Sequence, residues 1–374
     1  MPDDALRVSS ELDRISTFFP ILRDLGLRWA STRPWHGRTI AMHLHLTTLT
    51  ATLVRELTLG GGRWVLAAAN PATTDLGVAR YLRDLGVEVH SGGGARDGLH
   101  AMVAARPHLF ADVGFPLGEA LARAGASPAG GVEITRSGVT RMRELGPLPF
   151  PVMNINDGRL KPAIENRHGV GEGLWQSFTQ LTGMHLAGRR VCVVGYGTVG
   201  SGVAAYARSG GAQVEVWETD PVRRLVAHYD GYATLRGPQE LRRAQVIVTA
   251  TGFKSTLNLD MLRAARDGAV IINAGHGGDE IDIDGLRSGA SAVDQVSPRV
   301  VRYTLEGRTL VVLGDGHPLN IVMNSGSQEP VMLHFAVLGL ALEWFTRNSP
   351  PPGEVLLPRT IEEEASLAAL RALG

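Results

Sequence analysis

The sequence predicts an α/β protein made of two doubly wound, Rossmann-like domains, and three observations support this. Short apolar runs alternate with helical patterns in both halves of the chain, as in βαβ units with a parallel sheet. The runs of the second half are apolar throughout, which is typical of strands buried on both faces. Glycine is abundant, with 46 of 374 residues, and glycine-rich sequences favour folds with many tight turns.

The elements of the first half follow from these patterns in order. Strands are predicted at 37–46, 64–69, 87–92 and 108–114. Helices are predicted between them at 47–61 and 75–86. Because each strand is followed by a helical pattern or a turn, we expect them to lie side by side in a parallel sheet.

A second series of strands begins near residue 190, so we place a domain boundary near residue 170. Its members are predicted at 190–197, 213–220, 244–252, 269–277 and 309–316. The apolar stretch 331–345 is too short to span a bilayer and contains His334 and Glu343, so we expect a buried core helix. The Pro-rich segment 348–354 is interpreted as a linker to a short closing element.

Composition excludes several classes of protein. Lys+Arg and Asp+Glu each number 37, and this zero net charge argues against partners such as nucleic acid or a membrane surface. The single cysteine, Cys192, excludes a disulfide framework and a thiol metal site, and no metal site is predicted. The acidic start lacks the pattern of a signal peptide, so we expect a soluble, cytoplasmic protein.

The segment 191–202 carries a dinucleotide-binding signature. Gly195, Gly197 and Gly200 have the G-x-G-x-x-G spacing directly after a strand, and a helical pattern follows. The next strand ends in Glu218, whose carboxylate can accept hydrogen bonds from a ribose 2′-OH and would repel a 2′-phosphate. The sequence therefore predicts NAD as the cofactor in preference to NADP. The alternative is a structural βαβ turn with a solvated Glu.

Further motifs occur in a fixed order along the chain. They are "LHLTTLT" (44–50), "ANPATTD" (69–75), "KPAIEN" (161–166), "GYGTVG" (195–200), "TATG" (249–252), "NAGHGGDEID" (273–282) and "GHPLNIVMNS" (316–325). In this order they resemble the motifs of S-adenosylhomocysteine hydrolase, over nearly the whole chain. The resemblance implies a discontinuous substrate domain over 1–169 and 325–374, with an NAD domain at 170–324. It also implies a homo-oligomer, either a dimer or a tetramer.

The chemistry implied by the resemblance is a cycle on a ribose ring. NAD oxidises the 3′-OH to a ketone, which acidifies the C4′ proton; that proton is removed, the 5′ substituent leaves, and the ketone is reduced back. Lys161 would assist removal of the 3′-OH proton, for which its amine must be neutral in part of the cycle. His45 would move protons at the 5′ position. The alternative interpretation of Lys161 is a solvated Lys161–Glu165 pair. The alternative interpretation of His45 is a hydrogen-bonded histidine in the core.

The resemblance assigns the remaining site residues by position. Implied catalytic residues are His45, Asp112, Lys161, Glu165 and His276. Implied substrate contacts are Thr47, Asn70, Thr73, Asn166, His317 and Met323. Implied cofactor contacts are Thr135, Gly195, Gly197, Thr198, Val199, Gly200, Glu218, Thr251, Gly252, Asn273, Ala274 and Gly275. His43 has no counterpart in the family motif and is interpreted as structural.

Several family carboxylates are replaced in this sequence. The Glu that reaches the adenine amino group in the family is Leu49, and a Glu that contacts the sugar is Ile134. Glu133 cannot replace the latter in an extended segment, because adjacent side chains point to opposite faces. Of a paired Asp only Asp112 remains, and which of the two acids it matches is ambiguous by one position. The sequence also ends without the family tail whose Lys and Tyr reach a neighbouring subunit's NAD, so we expect either weaker NAD binding or local substitutes for those contacts.

These replacements spare the residues implied in sugar oxidation, which indicates a repurposed family member. We expect it to act on an adenine nucleoside and to release a 4′,5′-unsaturated product, as a nucleoside dehydratase of secondary metabolism. Such nucleosides occur among antibiotics of the angustmycin type. The first alternative is hydrolysis of S-adenosylhomocysteine to adenosine and homocysteine. The second is a non-catalytic NAD-binding regulator.

Overall fold

The computed structural model describes residues 2–70, 74–92, 95–275, 279–323 and 325–374. The chain divides into two compact units. The first unit comprises Met1–Lys161 and Gln328–Gly374, and the second comprises Pro162–Ser327. The first unit is therefore discontinuous in sequence.

The first unit is an α/β layer structure. Its helices are α1 (Pro2–Phe18), α2 (Ile21–Thr32), α3 (Thr48–Thr58), α4 (Leu76–Asp84), α5 (Ala95–Ala104), α6 (Pro116–Arg123), α7 (Arg136–Leu145), α14 (Glu329–Phe345) and α15 (Arg359–Leu373). Its strands are β1 (Thr39–Leu44), β2 (Arg63–Ala68), β3 (Glu88–His90), β4 (Leu109–Asp112), β5 (Gly130–Glu133), β6 (Pro151–Asn154) and β15 (Gly353–Leu356). The strands and helices predicted for the first half are confirmed; β2 is shifted by one residue and the others have shorter bounds.

The seven strands found in the described part of the first unit form one parallel sheet in the order β15-β6-β5-β4-β1-β2-β3. One face is covered by an apolar cluster that includes residues of α1 to α4, α14 and α15. The other face is covered by residues of α5, α6 and α7. Burial on both faces explains the apolar strand sequences.

The C-terminal segment differs from its prediction in one respect. Residues 353 and 354 were assigned to a linker, but they begin β15, which pairs in parallel with β6 at the sheet edge. The alternation of partly buried and exposed residues in this short strand offered no continuous apolar run. The core helix expected at 331–345 is confirmed as α14, in which His334 and Glu343 are also buried. Nowhere in the described chain is a helix long and apolar enough to cross a membrane.

The second unit also has an α/β architecture. A π-helix over Lys161–Gly169 leads into its helices α8 (Val170–Thr182), α9 (Thr198–Ser209), α10 (Pro221–Tyr229), α11 (Leu259–Ala264), α12 (Ile283–Gly289) and α13 (Leu319–Val322). Its strands are β7 (Arg190–Val194), β8 (Gln213–Trp217), β9 (Ala233–Thr234), β10 (Val246–Thr249), β11 (Ala269–Asn273), β12 (Ala292–Ser297), β13 (Val300–Leu305) and β14 (Arg308–Leu313). Short 3₁₀ helices occupy Pro238–Arg243 and Gly314–Gly316.

The sheet of the second unit has the order β12-β13-β14-β11-β10-β7-β8-β9. Its central strands are parallel, whereas β13 runs antiparallel to both of its neighbours. The chain proceeds from β7 outwards through β8 and β9, and then returns to place β10 on the other side of β7. Such a reversal creates a crevice beyond the carboxyl ends of the two central strands, where ligands bind in open α/β sheets.

Candidate active site

The predicted sugar-side residues of the first unit follow the carboxyl ends of neighbouring strands. Asp112 ends β4, His45 lies just beyond β1, and Asn70 lies just beyond β2. These strands are adjacent in the order β4-β1-β2. The parallel sheet therefore brings the three segments to one edge, which is the ligand-binding edge of α/β folds.

His45 and Thr47 lie in the short connection between β1 and α3. His45 is partly buried. The Thr47 hydroxyl caps α3 by accepting a hydrogen bond from the Thr50 amide, at 3.4 Å. Since a hydroxyl has a second lone pair and a proton, this capping role leaves Thr47 able to contact a ligand.

Asp112 is completely buried, and its carboxylate is bonded within the first unit. Its Oδ1 lies 2.9 Å from Nδ1 of His43, and its Oδ2 accepts from the Gly118 amide at 2.9 Å. Burial raises the pKa of Asp112, and the hydrogen bond and charge of His43 oppose that rise. His43, interpreted from the sequence as structural, is thus the direct partner of a predicted catalytic residue.

Thr135, predicted to contact the cofactor, is buried at the start of α7 in the first unit. Its amide and hydroxyl both donate to Glu133 Oε1 at 2.7 Å, while the hydroxyl accepts from the amides of Gly114 and Gly138. Ile134 belongs to the apolar cluster on the opposite face of the sheet. Glu133 therefore does not take the place of the missing Glu at position 134.

The stretch that contains Lys161, Glu165 and Asn166 forms a π-helix, and all three residues are partly buried. A π-helix bonds residue i to i+5 and therefore has a wider turn than an α-helix. Positions 161, 165 and 166 consequently fall on one side of the helix, whereas about 3.6 residues per turn would separate 161 from 166. π-helices are rare in proteins, but those that occur are often found at functional sites. This supports a functional role for the segment.

The amino-acid composition is a second observation that supports a proton-transfer role for Lys161. The sequence has two lysines, Lys161 and Lys254, among 37 lysines and arginines together. Arginine cannot lose its proton in proteins, whereas a lysine amine can become neutral. A chain that uses arginine for nearly every positive charge but has lysine at position 161 is consistent with a proton-transfer role there.

The glycine loop of the second unit has the geometry that a dinucleotide needs. Gly195 has a φ of +95°, which favours glycine. A Cβ on Gly200 would lie 2.0 Å from the Gly195 carbonyl oxygen, whereas one on Gly197 would meet nothing closer than 3.7 Å. Thr198 begins α9 and Val199 packs on the core behind it. Because Gly197 is the N-cap and has no side chain, the first amides of α9 can bind a pyrophosphate.

Glu218 lies directly beyond β8 and is buried. Its carboxylate accepts from the Tyr196 amide at 2.7 Å and from the Asp220 amide at 2.9 Å. The two hydrogen bonds fix the carboxylate beside the glycine loop, and each oxygen retains a lone pair for a ribose hydroxyl. These residues fit NAD.

We expect Glu218→Ala to reduce the preference for NAD over NADP by about tenfold, equivalent to about 1.4 kcal/mol. The variant loses the acceptor for the 2′-OH and the repulsion of a 2′-phosphate. Titration calorimetry with both dinucleotides checks this through the ratio of the two Kd values. Partial destabilisation leaves that ratio unchanged, since both ligands bind the same folded fraction, and an unaltered ratio would refute the assignment.

The loops after β10 and β11 are joined by Glu280, which sequence reasoning did not single out. This buried carboxylate accepts from the amides of Thr251 and Gly252 at 2.9 and 2.6 Å, and from the Thr251 hydroxyl at 3.0 Å. A Cβ on Gly275 would lie 1.5 Å from Glu280 Oε1, so glycine is required there. Glu280 thus aligns three predicted cofactor contacts.

Asn273 performs a similar role at the end of β11. Its side-chain Nδ2 donates to the Gly316 carbonyl at 3.0 Å, and its Oδ1 accepts from the Gly275 amide at 2.7 Å. Ala274, between Asn273 and Gly275, is buried in the core of the second unit. The hydrogen bond to Gly316 fixes the turn that carries His317, whose side chain is exposed.

The remaining predicted residues are placed as follows. Met323 caps α13 and packs on the core of the second unit. Asn70 is exposed. Thr73 and His276 lie outside the described residues. Among the described residues no cluster of His, Cys, Asp and Glu could hold a metal ion.

The fold and the glycine loop define an NAD-dependent enzyme class with Rossmann-like domains. The dipicolinate synthase A chain of Bacillus subtilis shares this fold, with a TM-score of 0.51, 14% identity, and coverage of 83% of this chain and 97% of that one. Residues 166–326 match the family described as "S-adenosyl-L-homocysteine hydrolase, NAD binding domain". The cofactor is NAD.

Relatives extend the match to the whole chain. The adenosylhomocysteinase of Pyrobaculum aerophilum is 32% identical over 416 aligned positions, covering 100% of this chain and 95% of the relative. That of Nostoc sp. is 32% identical and covers 95% and 88%. The S-inosyl-L-homocysteine hydrolase of Methanococcus maripaludis is 30% identical and covers 94% and 88%. The chain belongs to the S-adenosyl-L-homocysteine hydrolase family.

Proposed function

We propose that the protein is a nucleoside dehydratase of this family, which removes water across C4′ and C5′ of a purine nucleoside. The observation that supports this is the selective loss of polar contacts. Leu49 and Ile134 pack into the apolar cluster of the first unit at positions where the family has carboxylates. Lys161 and the glycine loop remain. The substrate contacts are therefore altered while the residues for sugar oxidation are kept.

Each retained group has a defined task in the proposed reaction. Lys161 takes the proton of the 3′-OH. NAD, which the glycine loop and Glu218 would hold, would supply the hydride acceptor for the oxidation and the hydride donor for the final reduction. His45 can accept the C4′ proton, which is acidic beside a ketone, and deliver it to the departing 5′-oxygen. Lys161 returns its proton to the 3′-oxygen when the ketone is reduced, so the net change is the loss of one water.

A general acid is more important for this reaction than for thiol elimination. Hydroxide is a much poorer leaving group than a thiolate, so the 5′-oxygen must be protonated as it departs. A histidine has a pKa near neutrality and can both accept and give a proton. His45 is partly buried and lies just beyond the carboxyl end of β1, which supports this proposed role.

The decisive experiment is incubation of the purified protein and NAD with adenosine, inosine and hexulose nucleosides, followed by mass spectrometry. We expect a product lighter by one water, and solvent deuterium at C4′ of the recovered nucleoside when the reaction runs in D₂O, because the C4′ proton is removed reversibly whereas C4′ of the unsaturated product carries no hydrogen. Recovery of every nucleoside unchanged contradicts the proposal. The inosine arm tests the base, because one relative acts on S-inosyl-L-homocysteine.

S-adenosylhomocysteine and S-inosylhomocysteine are tested in parallel for release of a thiol. Thiol release without water loss would assign the protein to the hydrolase activity of its relatives. Absence of both reactions, combined with NAD binding, would favour a regulatory role.

A further inference from the structure

A row of buried polar side chains crosses four adjacent strands of the first unit. His43, Asp112, Glu133 and Asn154 pair in register on β1, β4, β5 and β6. Residues in register on a parallel sheet project from the same face, so these side chains are neighbours. They are between 0% and 4% exposed. Two carboxylates, Asp112 and Glu133, therefore lie side by side in a dry layer.

The two carboxylates differ in their hydrogen bonds. Both oxygens of Asp112 have donors, namely His43 and the Gly118 amide. Glu133 Oε1 accepts three hydrogen bonds, two from Thr135 and one from the Gly114 amide at 3.3 Å. Glu133 Oε2 is buried and has no hydrogen-bond partner among the described residues. An ionised carboxylate without a donor on one oxygen is costly in such a place.

The surrounding groups favour the protonated form of Glu133. Its pKa is raised to about 8, first by burial and then by the charge of Asp112, against the donors from Thr135 and Gly114. On the β6 side lies the neutral Asn154, which donates to Asp157 and Glu354. Helix α6 supplies a backbone amide to Asp112, and Gly138 of α7 packs against the Glu133 carboxyl.

We propose that Glu133 is a positioning residue that works as a neutral acid: its carboxyl holds Thr135 by hydrogen bonds, and it leaves Asp112 and its partner His43 undisturbed only while it keeps its proton. Thr135 donates two hydrogen bonds to Glu133. The amide of Gly114, two residues after Asp112, donates to the side chains of both Glu133 and Thr135. Loss of the proton places a second negative charge beside Asp112 and its partner His43. This role rests on the proposed function in so far as Asp112 and Thr135 serve the reaction.

The proton is tested directly by infrared spectroscopy. We expect the carbonyl band of a protonated carboxylic acid at pH 7, its loss as the pH rises through about 8, and its absence from Glu133→Gln. Because the pKa in the folded protein exceeds that of the unfolded chain, Glu133 contributes stability at low pH that is lost between about 4.5 and about 8. The melting temperature of Glu133→Gln should therefore fall less over this range. An identical band and melting profile in the variant would overturn the proposal.

The matched control is Glu56→Gln. Glu56 of α3 is also a buried glutamate with a raised pKa, caused by burial and opposed by Arg55. We expect Glu56→Gln to alter the pH dependence of stability without altering the pH dependence of activity. Asp112→Asn provides a second test, since removal of the neighbouring charge should lower the pH at which the Glu133 band disappears.

The role in the reaction is tested by the pH dependence of kcat/KM. Activity should fall about tenfold between pH 7 and pH 9 in the wild type, as one group of pKa about 8 loses its proton. In Glu133→Gln, whose amide is neutral at every pH, the fall should be less than about twofold. An equal fall in both proteins refutes the positioning role. If no nucleoside is turned over, the proposed function fails, while the infrared and melting experiments still decide the state of Glu133.

Discussion

Replacement of Lys161 by Ala is expected to lower kcat/KM by roughly 10²- to 10⁴-fold, the usual contribution of a group that transfers a proton. Lys161 lies on the π-helix on the same side as Glu165 and Asn166, so its removal deletes the amine without disturbing the core. NAD binding and the melting temperature should remain close to those of the wild type. Steady-state kinetics, with formation of NADH as a separate readout of sugar oxidation, measure the effect.

Two further variants separate the charge of Lys161 from its ability to lose a proton. Lys161→Arg keeps the positive charge but cannot become neutral, so it should be nearly as impaired as Lys161→Ala. Lys254, the other lysine, is exposed, and Lys254→Ala should retain full activity. If Lys161→Arg were fully active, Lys161 would act only as a fixed charge. If Lys161→Ala were fully active, the catalytic assignment would be wrong.

The fold could be predicted from sequence at several strands that are apolar and buried on both faces. The runs at 190–197 and 269–277 contain β7 and β11, which lie in the centre of their sheet. Strands at the margins were missed, among them β12, whose residues are mostly exposed, and β15, which alternates. The short interior strands β5 and β6 were also missed, although they are buried. Half-buried edge strands have no continuous apolar run, so their pairing depends on neighbours that are distant in sequence.

The candidate site could be predicted where a motif fixes the backbone. Gly195 and Gly200 are required by a positive φ and by a close backbone contact, and both constraints are local. Glu133 and Glu280 were not found, because their importance arises from partners on other strands and loops. Gly275 and Glu280 lie in the same glycine-rich motif, 273–282. An acid in such a motif is a signal that could have pointed to Glu280, since Gly275 leaves room for its carboxylate.

Asp112 illustrates how structure refines a motif. Sequence left its alignment with the paired acids of the family ambiguous by one position. The structure places its side chain in the buried row with His43, on the face covered by α5, α6 and α7. Its direct contacts are therefore to protein groups, so its effect on a substrate would act through His43 and the end of β1. A direct substrate contact for Asp112 stays a prediction.

Gly200→Ala is expected to abolish NAD binding and to destabilise the second unit by about 3 kcal/mol. The added methyl group would lie 2.0 Å from the Gly195 carbonyl oxygen, so either the loop or the start of α9 must move. Neither can move freely, because Gly195 has a φ of +95° and its amide bonds to the Trp217 carbonyl at 2.8 Å. Thermal unfolding and fluorescence titration with NAD measure the two effects.

Gly197→Ala is the matched control, and it separates cofactor contact from loop integrity. Its Cβ would meet nothing closer than 3.7 Å, and its φ of −79° suits alanine, so stability should change by less than about 0.5 kcal/mol. The methyl group would nevertheless occupy the surface on which a pyrophosphate approaches the first turn of α9. NAD affinity should therefore fall at least about tenfold while the melting temperature is preserved. Equal losses of stability in both variants, or unchanged NAD affinity in Gly197→Ala, would mean that this loop does not bind the dinucleotide backbone.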